Sequence, residues 1–302
     1  EYPPSRKPGD RFYVFMQKEI KLIAFDIDGT LLNSQKELTE RTLRALKSAA
    51  AHGIEVVPCT GRLLNVIPEA VRTLPFIRYA ICVNGAQVVD CTSGETLLRA
   101  EIPFARALEL LDALDKLPGI YDCYLDGKGW MSRDMWERFS EFASSERTLA
   151  FLRGARTPVP ELRSFVRARS MDAQKLQIFF HTTAERMQYQ PQLQAQFPEL
   201  LMTSSLSNNL EINAPGASKG AALVELCRLL GFSAEHAMSF GDGTNDISML
   251  KAAGVGVAMA NAEEQSVLDA ADRIAPSCDE DGVAQVIEEM LRPEGVSSSP
   301  EG

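Results

Sequence analysis

A nearly continuous apolar run, IKLIAFDI at residues 20–27, is the feature that most restricts the fold of this 302-residue chain. Such a run is typical of a strand in a parallel sheet that is buried on both faces, because a half-solvated strand would alternate apolar and polar residues. A helix is predicted next: Thr39 suits an N-cap, apolar residues recur at helical spacing, and Gly53 suits the position after the helix end. The run therefore predicts the first strand of an α/β sheet.

Further strands and helices continue this alternation. The segments IEVVPC and YAICVN are predicted to be strands, with a helix near residues 63–74 between them. From Lys219 onward the alternation resumes as a helix, the strand HAMSFGD, a second helix and the strand GVGVAM. Strands that alternate with helices in this way favour a parallel sheet with helices on both faces. We predict an α/β fold class with a Rossmann-like, doubly wound parallel sheet as its core.

The pattern changes between these two halves. QVVDC-TSG-ETLLRA predicts a hairpin, and the following residues mix short strands with helices predicted at about 104–116, 135–142 and 183–197. Such a mixture indicates an α+β cap domain inserted into the core. The predicted division is a flexible N-terminal arm (1–18), a core split into 19–88 and 210–293, an inserted cap (89–209) and a flexible C-terminal tail (294–302).

Composition excludes several classes of partner. A net charge of −10 argues against nucleic acid and against anionic membrane surfaces, which both attract basic faces. We find no apolar stretch of membrane-spanning length and no secretory signal pattern. The six cysteines form no CxxC pair and most lie in apolar runs, so we predict reduced, buried thiols. These features favour a cytoplasmic protein, and they leave its oligomeric state open.

Polar residues follow the predicted strands at the points where the strands end. Because the carboxyl ends of parallel strands meet at one edge of a sheet, we expect these side chains to converge on a ligand site. A single polar strand end is as easily explained by an ordinary turn, but several on one edge are not. The residues are Asp26 and Asp28, Thr60 and Gly61, Asn84 and Gly85, Asp242 and Asp246, with Lys219 at a helix start in GASKG.

The four aspartates would bring several negative charges together. Two unit charges about 4 Å apart repel by about 4 kcal/mol at an effective dielectric constant of about 20, so the cluster requires a cation. Carboxylates without histidine or thiolate suit Mg²⁺, which shares its oxygen ligands with phosphates. Lys219, the Thr60 hydroxyl and the Gly61 N–H would add donors for phosphoryl oxygens. The sequence therefore predicts a Mg²⁺ site that binds a phosphate group.

The spacing of Asp26 and Asp28 suits phosphoryl transfer. One carboxylate can attack phosphorus and form an aspartyl-phosphate, and a second can move protons to the leaving group and from water. Two positions apart at a strand end, the pair can lie on the same side of the chain, and Gly29 lets the backbone turn away.

The sequence resembles the haloacid dehalogenase superfamily, and within it the Cof-type phosphatases of subclass IIB. DIDGTLLN, the threonine of CTGR, the lysine of ASKG and GDGTND match its four motifs in order, and the similarity covers about residues 21–291. The resemblance implies that Asp26 is the nucleophile and Asp28 the general acid and base. It implies Mg²⁺ ligands at Asp26, the Asp28 carbonyl and Asp242, supported by Asp246; phosphate contacts at Thr60, Gly61, Lys219 and Asn245; and substrate contacts at Arg62 and Asn84.

The resemblance implies a phosphatase for small phosphorylated metabolites, with sugar phosphates as the leading substrates. Flavin or pyridoxal precursors and nucleotides stay open as substrates. A phosphomutase and a non-catalytic regulator that binds sugar phosphate on the same scaffold are the alternatives. In the cap, Lys175 is a candidate substrate contact or a solvated edge lysine. The aromatic side chains Trp130, Trp136, Phe139 and Phe142 are candidates for stacking on a substrate, although an aromatic helical stripe is more often core.

Overall fold

The structure, a computed structural model, describes residues 19–292, so the predicted arm (1–18) and tail (294–302) lie outside the described residues. The strands in this range are β1 (Leu22–Phe25), β2 (Glu55–Pro58), β3 (Tyr79–Cys82), β4 (Gln87–Asp90), β5 (Thr96–Arg99), β6 (Gly119–Leu125), β7 (Lys128–Ser132), β8 (Arg156–Val159), β9 (Lys175–Phe180), β10 (Leu201–Thr203), β11 (Asn209–Asn213), β12 (Ala237–Gly241), β13 (Val255–Met259) and β14 (Arg273–Ala275). The helices are α1 (Glu40–Ala51), α2 (Glu69–Arg72), α3 (Phe104–Leu114), α4 (Arg133–Glu137), α5 (Glu146–Gly154), α6 (Leu162–Arg169), α7 (Thr183–Gln196), α8 (Lys219–Leu229), α9 (Ile247–Ala252), α10 (Gln265–Ala270) and α11 (Gly282–Met290).

The core is a five-stranded parallel sheet in the order β14-β13-β12-β1-β2. Strand β1 lies between β12 and β2 and is buried along its whole length. Ile23 and Phe25 pack into one apolar cluster with α1 and α11, while Leu22 and Ala24 pack into another with α8 and α9. Because side chains alternate across a strand, the sheet carries helices on both faces. The predicted Rossmann-like, doubly wound core is confirmed.

The N-terminal helix follows its predicted signals, whereas the next predicted helix is wrong. The Thr39 side chain caps α1 by accepting from the Thr42 N–H, and Gly53 lies just past the helix with φ +79°. Residues 63–74 form only a 3₁₀ turn and the short α2. Pro68 lies between them; it has no N–H to donate and holds the preceding Ile67 in an extended conformation (ψ 130°).

The predicted hairpin is present, but it belongs to a small sheet beside the core. Strands β3, β4 and β5 form an antiparallel sheet, and a parallel bridge between Cys59 and Ile81 joins it to the end of β2. The predicted limit between core and cap at 88/89 would divide β4, and the predicted limit at 209/210 would divide β11, which pairs with β9 of the cap. We keep the division into core and cap as a proposal, with the cap between β5 and the end of β11.

The inserted part is built on a six-stranded, mostly antiparallel sheet in the order β10-β11-β9-β6-β7-β8. Helices α3 to α7 belong to the same stretch of chain, and the aromatic helix predicted at 135–142 is divided into α4 and a 3₁₀ turn, Arg138–Glu141. All six cysteines are free thiols, five of them buried and Cys91 half-buried. None of the helices within residues 19–292 is long and apolar enough to cross a bilayer.

Candidate active site

The polar strand ends meet in one cavity of about 710 Å³ between the core sheet and the cap sheet. Strands β1, β2 and β12 are parallel neighbours, which brings their carboxyl ends to the same edge. Eight of the residues singled out from the sequence line this cavity: Asp26, Asp28, Thr60, Gly61, Arg62, Lys175, Asp242 and Asn245. Lys219 and Asp246 are fully buried next to it, and Asn84 lies behind Gly61 and Asn245.

Asp26 lies directly after β1 and is 8% exposed. Its Oδ1 accepts a 2.6 Å hydrogen bond from Nζ of Lys219, and its Oδ2 accepts one from the Asp28 N–H at 3.2 Å. Burial raises the pKa of Asp26 to about 7, while the nearby Lys219 ammonium acts in the opposite direction. The carboxylate is thus positioned at the cavity wall with one oxygen held by a cation.

Lys219 is the first residue of α8 and is completely buried. Its Nζ donates to Oδ1 of Asp26 and to Oδ1 of Asp246, both at 2.6 Å. Although burial acts to lower it, the two carboxylates raise the pKa of Lys219. The Ser218 side chain caps the helix by accepting from the Ala221 N–H, which fixes where α8 starts. The lysine therefore remains charged and bridges the ends of two different strands.

Asp242 and Asp246 belong to the turn that follows β12. Oδ2 of Asp246 accepts from the N–H groups of Asp242 and Gly243, so the turn closes on its own carboxylate. Asp242 accepts a 2.6 Å hydrogen bond from the Thr30 hydroxyl. Burial, and then the charges of Asp26 and Asp246, raise the pKa of Asp242 to about 8.

Three of these carboxylates form a cluster that suits a metal ion. Oxygen atoms of Asp26, Asp242 and Asp246 lie within 4.8 Å of one another. Gly29, with φ +82°, makes this approach possible, because a Cβ there would lie 2.3 Å from Oδ2 of Asp242. Burial, and then the neighbouring carboxylates, raise the pKa of Asp242, so the cluster carries negative charge that a cation would stabilise. Its residues fit a hard divalent cation that takes oxygen ligands.

Asp28 lines the same cavity but its side chain makes other contacts. Arg62 donates to it through Nε and Nη2, both at 2.7 Å, and Lys36 donates at 2.9 Å. Although burial opposes them, these hydrogen bonds and positive charges lower the pKa of Asp28. The guanidinium of Arg62 also lies 4.5 Å from the ring centre of Phe151 on α5, and so joins Asp28 to the cap.

Asn84 supports the site from behind and does not line the cavity. It is 3% exposed, has φ +58°, and donates from Nδ2 to Glu211 at 2.8 Å while its Oδ1 accepts from Asn245. A Cβ on Gly61 would lie 2.8 Å from Oδ1 of Asn84, so a larger residue there would push the Asn84 amide out of its place. Asn84 therefore positions Gly61 and Asn245, the two neighbours expected to contact phosphate.

Lys175 is not a solvated edge lysine. Its side chain is 2% exposed and donates to Glu211 at 2.7 Å and to the Gly61 carbonyl at 3.2 Å. Although burial opposes it, the Lys175 charge holds the pKa of Glu211 below its usual range. The sequence analysis missed Glu211. The signal was present in NNLEINA, where polar and apolar residues alternate along the strand and place Glu211 on its polar face.

Cap residues that the sequence reasoning missed form the other wall of the cavity. They include Tyr124, Phe151, Arg156 and Gln177. Of the aromatic residues proposed from the sequence, Phe139 and Phe142 are buried in the cap core, and neither tryptophan lines this cavity. Arg156 and Gln177 meet only through strand pairing between distant segments, which one sequence does not reveal.

Known proteins resemble this chain along nearly its whole length. A family model described as haloacid dehalogenase-like hydrolase matches residues 23–287. The 5-amino-6-(5-phospho-D-ribitylamino)uracil phosphatase YcsE of Bacillus subtilis (strain 168) is 31% identical over 270 residues, which cover 89% of this chain and 95% of that protein. The pyridoxal phosphate phosphatase YbhA of Escherichia coli (strain K12) is 28% identical and covers 88% of this chain and 97% of its own length.

Solved structures share the fold. A haloacid dehalogenase-like hydrolase from B. subtilis has a TM-score of 0.79 and 28% identity, covering 90% of this chain and 100% of that one. The subclass IIB sugar phosphatase BT4131 has a TM-score of 0.75 and 26% identity, covering 89% of this chain and 98% of its own.

Proposed function

The chain belongs to the haloacid dehalogenase-like hydrolase family, and on that premise we propose that it is a Mg²⁺-dependent phosphatase that works through an aspartyl-phosphate. The observation that carries this proposal is the buried Lys219, which holds Asp26 and Asp246 at 2.6 Å each while Asp28 faces the same cavity. A carboxylate held by a cation, with an acid two residues further on, suits attack on phosphorus followed by hydrolysis.

The cluster of carboxylates is the proposed Mg²⁺ site. The ion would be held by Asp26, the Asp28 carbonyl and Asp242, with Asp246 supporting them. The fit rests on the carboxylate oxygens of the three aspartates, which lie within 4.8 Å of one another, in a cluster that contains no histidine or cysteine ligand. When bound, Mg²⁺ would offset the negative charges of the carboxylates and of a phosphate dianion and polarise the phosphoryl group.

The chain's own residues perform the proposed reaction in two steps. A carboxylate oxygen of Asp26 attacks phosphorus, the bond from phosphorus to the leaving oxygen breaks, and Asp28 gives that oxygen its proton. Water then attacks phosphorus while Asp28 takes a proton from the water, and the bond between phosphorus and the Asp26 oxygen breaks, which releases inorganic phosphate and restores the Asp26 carboxylate. Lys219 helps to keep Asp26 ionised, since its charge opposes the effect of burial on the pKa of Asp26.

Two further sets of residues have separate tasks: one holds the phosphoryl oxygens, and the other controls the protonation of Asp28. The Thr60 hydroxyl, the Gly61 N–H and Asn245 would donate to the phosphoryl group. Arg62 and Lys36 keep Asp28 ionised in the structure, the form it needs as a base. A phosphate dianion that draws these two cations away would raise the pKa of Asp28 and let it carry the proton needed in the first step.

The substrates are proposed to be small phosphorylated metabolites, with sugar phosphates as the leading class. The cavity of about 710 Å³ has the volume of a site for a whole small molecule, since such sites span roughly 300–1,000 Å³. The relatives named for a ribityl-aminouracil phosphate and for pyridoxal phosphate keep other leaving groups among the candidates. We further propose a protein with no nucleic-acid or membrane partner, which its net charge of −10 supports, and a cytoplasmic location, which its free cysteines support.

Phosphate release from a panel of phosphate monoesters tests the proposal. Wild type should release phosphate with Mg²⁺ and stop in EDTA, and Asp26→Asn should be inactive while it remains folded. A fully active Asp26→Asn would exclude Asp26 as the nucleophile. Formation of an isomerised sugar phosphate that depends on added bisphosphate would favour the phosphomutase alternative. Binding of sugar phosphate without turnover of any ester would favour the regulator.

A further inference from the structure

The cap sheet presents a polar patch to the cavity, and strand register defines it. Gln177 of β9 pairs with Asp122 of β6 and with Glu211 of β11, and Lys175 pairs with Tyr124. Residues paired directly across neighbouring strands lie on the same face of a sheet. Since Tyr124, Lys175, Gln177 and Glu211 line the cavity, this face is the one turned toward the reaction centre.

Arg156 joins the same patch from β8, the edge strand. It pairs with Gly129, where a Cβ would lie 3.2 Å from Cγ of Arg156 and 3.5 Å from the Tyr124 ring. The glycine therefore leaves room for the arginine side chain over the sheet. Arg156 donates to Oδ2 of Asp122 at 2.7 Å, to Oε1 of Gln177 at 3.2 Å and to the Leu152 carbonyl at 3.0 Å.

Every charge in this patch has a buried counter-charge. The Arg156 and Asp122 side chains are 2% and 0% exposed, and those of Lys175 and Glu211 are 2% and 4% exposed. Two cations and two anions give this wall no net charge among the residues that the structure describes. A second phosphate or a carboxylate on the substrate would lose its hydration here and find each cation already paired.

The patch still has hydrogen-bonding capacity. Arg156 has five N–H groups, and the hydrogen bonds above engage one on each of its three nitrogens. No hydrogen bond within residues 19–292 uses the Nε2 amide group of Gln177, which lines the cavity. Phe151 and Leu206 add apolar surface to the same cavity. The wall therefore suits a polar but uncharged group.

We propose that Arg156, Asp122 and Gln177 select phosphate monoesters whose leaving group is polar and uncharged, and exclude esters that carry a second anionic group there. This selectivity rests on the proposed phosphatase activity and narrows its substrate class. It also disfavours the phosphomutase alternative, because such an enzyme must accept a bisphosphate.

Two isosteric substrates test this selectivity: 4-nitrophenyl phosphate and 4-carboxyphenyl phosphate differ mainly in one negative charge. For each variant we take the kcat/KM of the carboxy ester divided by that of the nitro ester, and compare this ratio with the wild-type ratio. Because every variant is compared with wild type on the same two esters, the difference in their intrinsic reactivity cancels. Asp122→Asn should raise the ratio about ten-fold, because Arg156 loses its counter-charge. Asn has the same shape and can keep accepting from Arg156 through its carbonyl oxygen, and its NH₂ group breaks no hydrogen bond, since Oδ1 of Asp122 has no partner within the described part of the chain.

Gln177→Glu should change the ratio in the opposite direction, about ten-fold downward, because it adds a negative charge while keeping an oxygen for Arg156. Asp112→Asn is the matched control: it makes the same charge change on the cap helix α3, at a half-exposed residue paired with Arg163 away from the cavity, and should leave the ratio unchanged. A general loss of structure would not move two variants in opposite directions.

Ratios that stay at the wild-type value in folded variants, or that move the same way in both, overturn the inference and leave the phosphatase proposal intact. If Asp122→Asn does not fold, an unchanged ratio in Gln177→Glu alone overturns it, and a ten-fold fall supports it. Absence of phosphate release from both esters in wild type, with Mg²⁺ present, overturns the proposed function and this inference with it.

Discussion

Replacing Asp242 by asparagine is expected to stabilise the metal-free protein while abolishing its activity. The pKa of Asp242 is raised from its ordinary value of 3.8 to about 8, chiefly by burial. Its contribution to stability is therefore fully present below the unfolded pKa of 3.8 and is lost as the pH rises through about 8. At about pH 7 the loss amounts to about 4 kcal/mol, at about 1.4 kcal/mol for each pKa unit between 3.8 and the pH of the measurement.

The asparagine variant should recover much of this free energy. Its carbonyl oxygen can still accept the hydrogen bond from Thr30, so little else is lost. Because Asp242 is only partly buried, solvent screens part of the effect, and we expect a gain of about 2–4 kcal/mol near neutral pH. At about 2–4 °C for each kcal/mol, the midpoint of thermal unfolding should rise by several degrees.

Thermal unfolding in EDTA at about pH 5 and about pH 8 measures this effect. Wild type should lose stability between the two values, and the variant should lose much less. Added Mg²⁺ should stabilise wild type by mass action and leave the variant unchanged. A variant that is less stable than wild type at the higher pH in EDTA, or one with the same pH dependence, would refute the electrostatic reasoning.

Three further substitutions test other parts of the site. Lys219→Met should abolish activity and lower the free energy of unfolding, measured in urea, by about 3–5 kcal/mol, because it leaves two buried carboxylates without their cation. A variant as stable as wild type would contradict this. Gly29→Ala should lower the free energy of unfolding by about 1–3 kcal/mol through strain and should also lower kcat/KM. Gly53→Ala, at a similar φ but with open space around the new Cβ, should keep its activity, and equal activities of the two variants would contradict the steric argument. Arg62→Ala should raise the pKa of Asp28, so the limb of the pH–rate profile that Asp28 controls should move to higher pH; an unmoved limb would separate Arg62 from the proton transfer.

The core and its reaction centre could be predicted because local patterns specify them. Strand β1 is apolar throughout, so its place inside a parallel sheet, with a neighbour on each side, follows from composition alone. Asp26 follows that strand directly, and the geometry of parallel strands brings its end next to Asp242 after β12. The resemblance to a known family then indicated the chemical role of each of these residues, which their place in the sheet alone left open.

The cap wall could not be predicted, because it depends on pairing between distant segments. Asp122 and Arg156 form a buried ion pair only when β6, β7 and β8 are in register. Lys175 and Glu211 meet across β9 and β11 in the same way. The helix predicted near residues 63–74 was wrong because Pro68 interrupts the segment, which forms only a 3₁₀ turn and the short α2.

Direct detection of the aspartyl-phosphate is the measurement that tests the central claim most directly. Asp28→Asn should slow hydrolysis of the intermediate more than its formation from 4-nitrophenyl phosphate, whose leaving group needs little help from an acid. After acid quenching and proteolysis, mass spectrometry should find one phosphoryl group on the peptide that contains Asp26, and the double variant with Asp26→Asn should show none. Phosphorylation of a different residue, or turnover by the double variant, would contradict the assignment of Asp26 as the nucleophile.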